Sequence, residues 1–306
     1  MTTHTLIHHD TTRPARWARR GLTTLLMAAT LALPLALTAC GGGGGARSNR
    51  PVTMKGSDTM VILGQRWAEV YMQTHPGMTV QVTGGGSGTG IAALINGTTD
   101  ICQASRPIKE AEQEQLRQKF GARAVEILVA RDGLAVYVNA KNPVASLTIA
   151  QLRDVYQGRV ANWKAVGGPD RPLILYGREN SSGTYAYFKE HVLAGGDFAS
   201  AMQPLPGTAA VVNAVAADEN GVGFGGDAYA KGVRLVPLRA DAGTAAVLPS
   251  VASIDDGSYP LARGLFFYMR RAPEGDAKSF VDYCLGEAGQ QLVADVGYFP
   301  LRKAAE

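Results

Sequence analysis

Arg178, Ser182, Gly183 and Thr184 lie within seven residues of one another and carry the groups that hold an oxyanion: a guanidinium, two hydroxyls and a glycine. They follow an apolar run, Leu173–Tyr176, that reads as a buried strand. They precede Tyr185–Leu193, whose apolar residues have helical spacing. The first N–H groups of a helix have no intrahelical partner, and the helix dipole puts partial positive charge there. Small side chains leave those N–H groups reachable, and an arginine adds a planar five-donor fork. Taken alone, the turn reads more readily as an ordinary N-cap beside a surface arginine, because Ser and Thr are favoured caps.

Three earlier junctions repeat the pattern. A short strand, Pro51–Lys55, runs into Gly56-Ser57-Asp58-Thr59 and a helix with Ile62, Trp67, Val70 and Tyr71 on its apolar side. Met78–Val82 alternates as a strand and enters Gly84–Gly90, with Ser87 at its centre, before a helix carrying Ile91, Leu94 and Ile95. Asp100–Ala104 is a third strand, ending at Ser105-Arg106-Pro107 ahead of a charged helix from Lys109 to Phe120. Ligands of doubly wound sheets bind outside the carboxyl ends of the strands, where such turns collect. Four hydroxyl-bearing turns in separate βα units could together surround a tetrahedral anion.

Beyond them, Val125–Val138 reads as two apolar strands separated by Arg131-Asp132-Gly133. A short capped helix begins near Leu147, and Val211–Ala217 reads as helical. Gly221–Gly226 is a strand and tight turn, Val233–Leu238 and Leu261–Met269 are strands, and Lys278–Val296 is one closing amphipathic helix. No internal repeat is evident.

The 306 residues are 46% hydrophobic and 18% charged, a normal balance for a soluble α/β protein. The first forty differ. Arg13, Arg16, Arg19 and Arg20 precede an apolar run, Leu22–Leu37, that ends in Leu37-Thr38-Ala39-Cys40, the layout of a signal peptide. The run is short and broken by Pro34, against a spanning helix. Without residues 1–39, 26 basic residues face 25 acidic ones, so no nucleic-acid patch is implied. Two cysteines remain, Cys102 and Cys284; their spacing leaves both a disulfide and two buried thiols open. His75 and His191 have no spacing typical of a metal site.

Leu-Thr-Ala-Cys-Gly resembles the lipobox of bacterial lipoproteins, which implies cleavage before Cys40 and lipidation of its sulfur; residues 40–50 then read as a Gly-rich tether. The mature chain resembles the phosphate-binding proteins of bacterial phosphate ABC importers, the PstS family. The resemblance rests on Gly56–Thr59, the turn at Ser87, Ala104-Ser105-Arg106, Gly158–Lys164 with Val166-Gly167-Gly168, Arg178–Thr184, Gly221–Phe224 and Glu287–Leu301, in the family's order.

This resemblance implies an α/β, type II periplasmic-binding-protein fold: two lobes with doubly wound sheets joined by two crossover strands. Lobe 1 would comprise 51–134 with 259–306 and lobe 2 139–250, with hinge segments near 135–138 and 251–258. It implies extracytoplasmic binding of inorganic phosphate between the lobes and delivery to membrane permease subunits, by a lipid-anchored monomer at the cell envelope with no enzymatic activity, cofactor, metal or nucleic acid. Family contacts carry over to Ser57, Asp58, Thr59 and Ser87, and to Arg178, Ser182, Gly183 and Thr184, with Ser105 and Arg106 in the third turn. Some members have an aspartate, the phosphate-proton acceptor, where this chain has Arg106. Asp58 is then expected to accept the proton, while Arg106 and Arg178 supply countercharge. A carboxylate gains a hydrogen bond from protonated phosphate and repels sulfate, so it selects partly by rejection.

Other readings are weaker. Sulfate, molybdate or phosphonate would suit the same donors. A phosphatase or hydrolase using Ser182 or Ser87 lacks the G-x-S-x-G elbow and a metal cluster. Gly88-Thr89-Gly90-Ile91-Ala92-Ala93 fits the dinucleotide pattern G-x-G-x-x-A, but the acid expected at the end of the next strand is missing.

Overall fold

The computed structural model describes residues 50–301, so the expected signal peptide, Cys40 and nearly all of the tether lie outside the described residues. In chain order the elements are β1 (Val52–Gly56), α1 (Val61–Thr74), β2 (Val80–Thr83), α2 (Ser87–Asn96), β3 (Ile101–Ala104), α3 (Glu110–Phe120) and β4 (Val125–Asn139). Then come β5 (Leu147–Thr148), α4 (Ile149–Tyr156), β6 (Ile174–Arg178), α5 (Gly183–His191), β7 (Gln203–Leu205), α6 (Gly207–Ala217) and β8 (Gly221–Gly226). The chain continues through β9 (Val233–Leu235), β10 (Leu238–Arg239), α7 (Val251–Asp255), β11 (Ala262–Met269), α8 (Gly275–Leu285) and α9 (Glu287–Val296).

The long strand β4 organises the fold. Its first part pairs antiparallel with β11, from Val125 opposite Met269 to Gly133 opposite Ala262. From Leu134 onward it pairs with β8 instead, and Tyr137–Asn139 also pairs with β9. The strand order is β2-β1-β3-β11-β4-β8-β6-β7. On one side of β4, the β1–β3 and β1–β2 pairs are parallel; on the other, β6 runs parallel to β8 and β7. Each group of parallel strands therefore directs its βα turns to one edge, and β4 is shared by both. This is the two-sided arrangement of a type II periplasmic-binding fold.

Strand alternation assigns the helices to faces. Ile101 packs with Met54, Trp67 and Phe280 beneath α1 and α8, whereas Cys102 and Ala104 face Ile91, Leu94 and Leu116 of α2 and α3. In β4, Ala135 and Tyr137 meet Val211 and Val215 of α6, while Val136 and Val138 join Trp163, Tyr156, Phe188 and Phe224 on the opposite face. Phe188 and Phe224 stack with ring centroids 4.0 Å apart. Fully burying side chains of this size contributes about 1.5–3 kcal/mol each.

Three expectations are corrected. Arg131-Asp132-Gly133 does not divide two strands: Asp132 lies opposite Arg263 in the β4–β11 register and pairs with it, so the charges stay inside one continuous strand. The closing helix is two helices, because Gly286 is extended (φ −70°, ψ 170°) between α8 and α9. Val233–Leu238 is likewise two short strands, β9 and β10. Both cysteines are free and buried in separate clusters, Cys284 with the α1–α8 core and Cys102 beneath α2. Among the described residues no helix is long and apolar enough to cross a membrane.

Candidate functional site

The four hydroxyl-bearing turns converge. After β1 the chain enters a 3-10 turn, Asp58–Met60, whose carbonyls are tied down from behind. Tyr229 Oη donates to Asp58 O at 2.7 Å, and Tyr298 Oη donates to Thr59 O. Ser57 and Thr59 are both 1% exposed. Ser57 Oγ donates to Ser105 Oγ at 2.9 Å, and Ser105 N donates to Ser87 Oγ at 3.1 Å. The first three turns thus meet through their serine hydroxyls.

The turn between β6 and α5 closes on them from the other side of β4. Thr184 Oγ1 lies 2.9 Å from Thr59 Oγ1, and Gly88 N donates to Ser181 O at 2.9 Å. At Gly183 a Cβ would fall 2.3 Å from Ser87 Oγ and 2.8 Å from Ser105 Oγ, so only glycine lets the two sets of turns approach this closely. Gly86 allows a second close approach, because its φ is +94° and a Cβ there would sit 2.5 Å from Ser181 O. Ser182 caps α5, its Oγ accepting from Thr184 N at 3.1 Å and Tyr185 N at 3.3 Å, which leaves its hydroxyl proton free to donate outward.

Arg178 ends β6 with its side chain 2% exposed. Its Nη2 donates to Asp58 Oδ2 at 2.6 Å and its Nη1 to Thr208 Oγ1 at 2.8 Å, while Nε is buried without a partner. Burial pulls the Arg178 pKa down, and the Asp58 carboxylate works against that shift. The other Asp58 oxygen accepts from Gly85 N at 2.7 Å. Asp58 therefore does not cap its own turn; it joins the first turn to the second and to the β6–α5 turn. A carboxylate has about four lone-pair sites, so two donors leave capacity for a third.

Arg106 is placed differently from the expected countercharge. Its Nη1 and Nη2 donate to the two oxygens of Glu112 at 2.8 and 2.7 Å, and Nη1 also donates to Pro107 O. The fork is matched to a carboxylate six residues on, so the third turn contributes Ser105 to the cluster while Arg106 faces away into α3. Sequence reading missed a further buried arginine altogether. Arg263, from β11, donates through Nε and Nη2 to Asp132 Oδ2 at 2.8 and 2.6 Å, and through Nη1 to Ser105 O at 3.2 Å. The signal was present in the sequence: each charge interrupts an apolar strand, and charges rarely enter such strands unless paired.

His75 and His191 lie against aromatic rings. His75 stacks on Tyr71 and His191 lies on Tyr187, each with ring centroids 4.0 Å apart. The dinucleotide-like glycines have a packing cause: a Cβ at Gly90 would sit 2.5 Å from Lys55 O, so α2 must be bare there to approach β1. Among the described residues there is no cluster of three or more His, Cys, Asp or Glu able to hold a metal ion.

A family model for the PBP superfamily domain matches residues 41–288. The phosphate-binding protein PstS of Pseudomonas aeruginosa is 35% identical over 269 residues, covering 82% of this chain and 83% of the relative. The chain belongs to the PstS family. PstS of Staphylococcus saprophyticus is 33% identical, covering 88% of this chain and 87% of that protein. In three dimensions the fold matches a candidate phosphate ABC transporter substrate-binding protein from Clostridium perfringens, crystallised with bound phosphate. The TM-score is 0.75 at 27% identity, over 83% of this chain and all of that one. Within the PstS family, the turns described above lie where the sequence motifs carrying the resemblance lie.

Proposed function

We propose that the protein binds inorganic phosphate outside the cytoplasm, in the cleft where its two groups of βα turns meet, and delivers it to the permease of an ABC importer. The observation that carries this reading is the convergence of four βα turns, with Gly183 backbone against the Ser87 and Ser105 hydroxyls. Hydroxyls and helix N-termini supply many neutral donors, and net contributions of roughly 1–3 kcal/mol from each charge-assisted bond accumulate without any being unusually strong. The binding set is Ser57, Asp58, Thr59, Ser87, Ser105, Arg178, Ser182, Gly183 and Thr184. The unpartnered Arg178 Nε supports a donor role for that residue. Arg106, paired with Glu112, is left out of the set.

Lobe 1 then comprises 51–134 with 259–306 and lobe 2 comprises 139–250, with β4 and the segment before β11 as the crossovers. Asp58 reads the proton of phosphate: its spare lone pairs accept that proton, and a fully ionised sulfate finds a carboxylate instead of a donor. Lipidation at Cys40 holds the protein at the cell envelope. The names of the family members and the bound phosphate in the Clostridium protein support the ligand and the transporter context.

The reading can be tested by calorimetric titration of the purified full-length protein with phosphate, arsenate, sulfate and molybdate. Tight binding of phosphate and arsenate with weak sulfate binding is expected. Preference for sulfate or molybdate would move the ligand to another oxyanion, and silence with all four would overturn the reading.

A further inference from the structure

Behind the converging turns lies an ion pair that the binding set does not use. The Arg263 and Asp132 side chains are 1% and 0% exposed and stand opposite each other, one register position before β4 leaves β11 for β8. Two donors of the Arg263 fork go to a single oxygen, Asp132 Oδ2. The remaining reach is toward the anion turns: Nη1 donates to Ser105 O at 3.2 Å, and Nη2 lies 3.5 Å from Thr59 Oγ1. The guanidinium also sits 5.5 Å from the centre of the Tyr187 ring, in α5. One cation therefore touches the first turn, the third turn and the helix that follows the fourth. A buried ion pair adds little net stability over well-packed apolar residues, because both charges lose their hydration. A pair whose spare donors all go to residues of one binding set has a different explanation.

We propose, on the basis of the phosphate-binding reading above, that Arg263 is a positioning residue of the anion site. Anchored by Asp132, it fixes the Thr59 hydroxyl and the Ser105 turn and stands as a second buried cation behind the anion. It complements Arg178, which approaches from the other side of β4 and is partly neutralised by Asp58.

A third acid makes the charge of this cluster adjustable. Asp227 opens the 3-10 turn after β8, next to Gly226, where a Cβ would lie 3.0 Å from Asp132 Oδ1 and 3.2 Å from Thr59 Cγ2; Asp227 Oδ1, like Asp132 Oδ1, is buried without a partner. Burial first, and the Asp132 carboxylate second, raise the Asp227 pKa to about 8. The ionisable groups around Asp227, Asp132 and Arg263 are Tyr137 from β4, Arg178 from β6, Tyr187 from α5, Tyr229 from the turn after β8, Tyr259 from the segment before β11, and Tyr298 after α9. Burial raises the pKa of each of these tyrosines and holds it neutral. Below pH about 8 Asp227 is neutral; above it a second carboxylate stands beside Asp132, behind the anion turns. Phosphate affinity should therefore fall as pH rises through this value, in a range where the ligand is already mainly the dianion.

The experiment compares the full-length wild type with Arg263→Lys, the double variant Arg263→Met/Asp132→Asn, which leaves no unpaired buried charge, and Asp227→Asn. Phosphate affinity is measured by calorimetry on either side of pH 8, alongside thermal melting. The double variant should melt cooperatively and bind phosphate roughly tenfold or more weakly, with Arg263→Lys recovering part of the loss because it keeps the charge. Wild-type affinity should fall with rising pH, and Asp227→Asn should flatten that profile. A folded double variant within about threefold of wild type would overturn the inference, and so would a wild-type profile that is already flat. If the double variant does not fold, the two pH profiles decide. A wild type that binds none of the four oxyanions overturns the phosphate reading itself, a result distinct from all of these.

Discussion

The turn after β3 and the turn after β6 look alike in sequence, since each sets a serine and an arginine at a strand-to-helix junction. In the folded protein the two arginines do opposite things. Arg178, the last residue of β6, crosses to Asp58, 120 residues away, and joins two turns that belong to different parts of the sheet. Arg106, two residues past the end of β3, turns back to Glu112 in the first turn of α3. Glu112 also accepts from Lys109 N, so that pair belongs to the capping of its own helix. An arginine in an anion-binding turn contributes charge to the site only if no carboxylate nearer in sequence takes its fork first.

Substitutions can break or sharpen that contrast. The largest effect is expected from Arg178→Ala, which removes the cation and strands Asp58 without its partner. Losing one member of a largely buried pair costs about 3 kcal/mol or more, read from denaturant unfolding, and phosphate binding should fall by roughly a hundredfold or disappear. If Arg178→Ala binds as wild type, the distinction between the two turns is void.

Gly183→Ala should come next. The added methyl must displace the Ser87 and Ser105 hydroxyls, and overpacking of about 1–3 kcal/mol falls on the closed arrangement, weakening phosphate roughly 5- to 150-fold in titration. Asp58→Asn keeps the shape of the link to Gly85 but removes the carboxylate. Phosphate-over-sulfate preference should shrink by roughly tenfold, from competition titrations, since an amide no longer rejects sulfate. Unchanged discrimination would remove Asp58 from the selecting role.

Arg106→Ala should do least to phosphate binding. Its pair with Glu112 is about as buried as the Arg178 pair, with side chains 9% and 20% exposed, so unfolding should lose about 3 kcal/mol while phosphate affinity changes less than threefold. A large affinity loss with this variant would restore Arg106 to the binding set.

Much of this was legible in the sequence for local reasons. β1, β6, α2 and α5 declare themselves by apolar spacing and by the small residues at their junctions, and the Ser182 cap needs only its own helix. What failed was local reasoning where the partner was distant. Arg131-Asp132-Gly133 reads as a break because a charged pair and a glycine interrupt apolar residues. It is continuous strand because Arg263 arrives opposite it from more than a hundred residues downstream. The break at Gly286, by contrast, is a single extended residue inside an otherwise helical apolar spacing, which periodicity does not register.

By itself the sequence determined which turns carry hydroxyls, which helices begin beside them and which family the ordered motifs resemble, because caps, strands and turns are built from contacts a few residues long. Only the tertiary structure decided where the charges go. Arg178 to Asp58, Arg106 to Glu112 and Arg263 to Asp132 are choices among carboxylates that composition cannot rank. Each follows from which strand lies next to which, and from the rule that a cation removed from water must find its partner at contact distance.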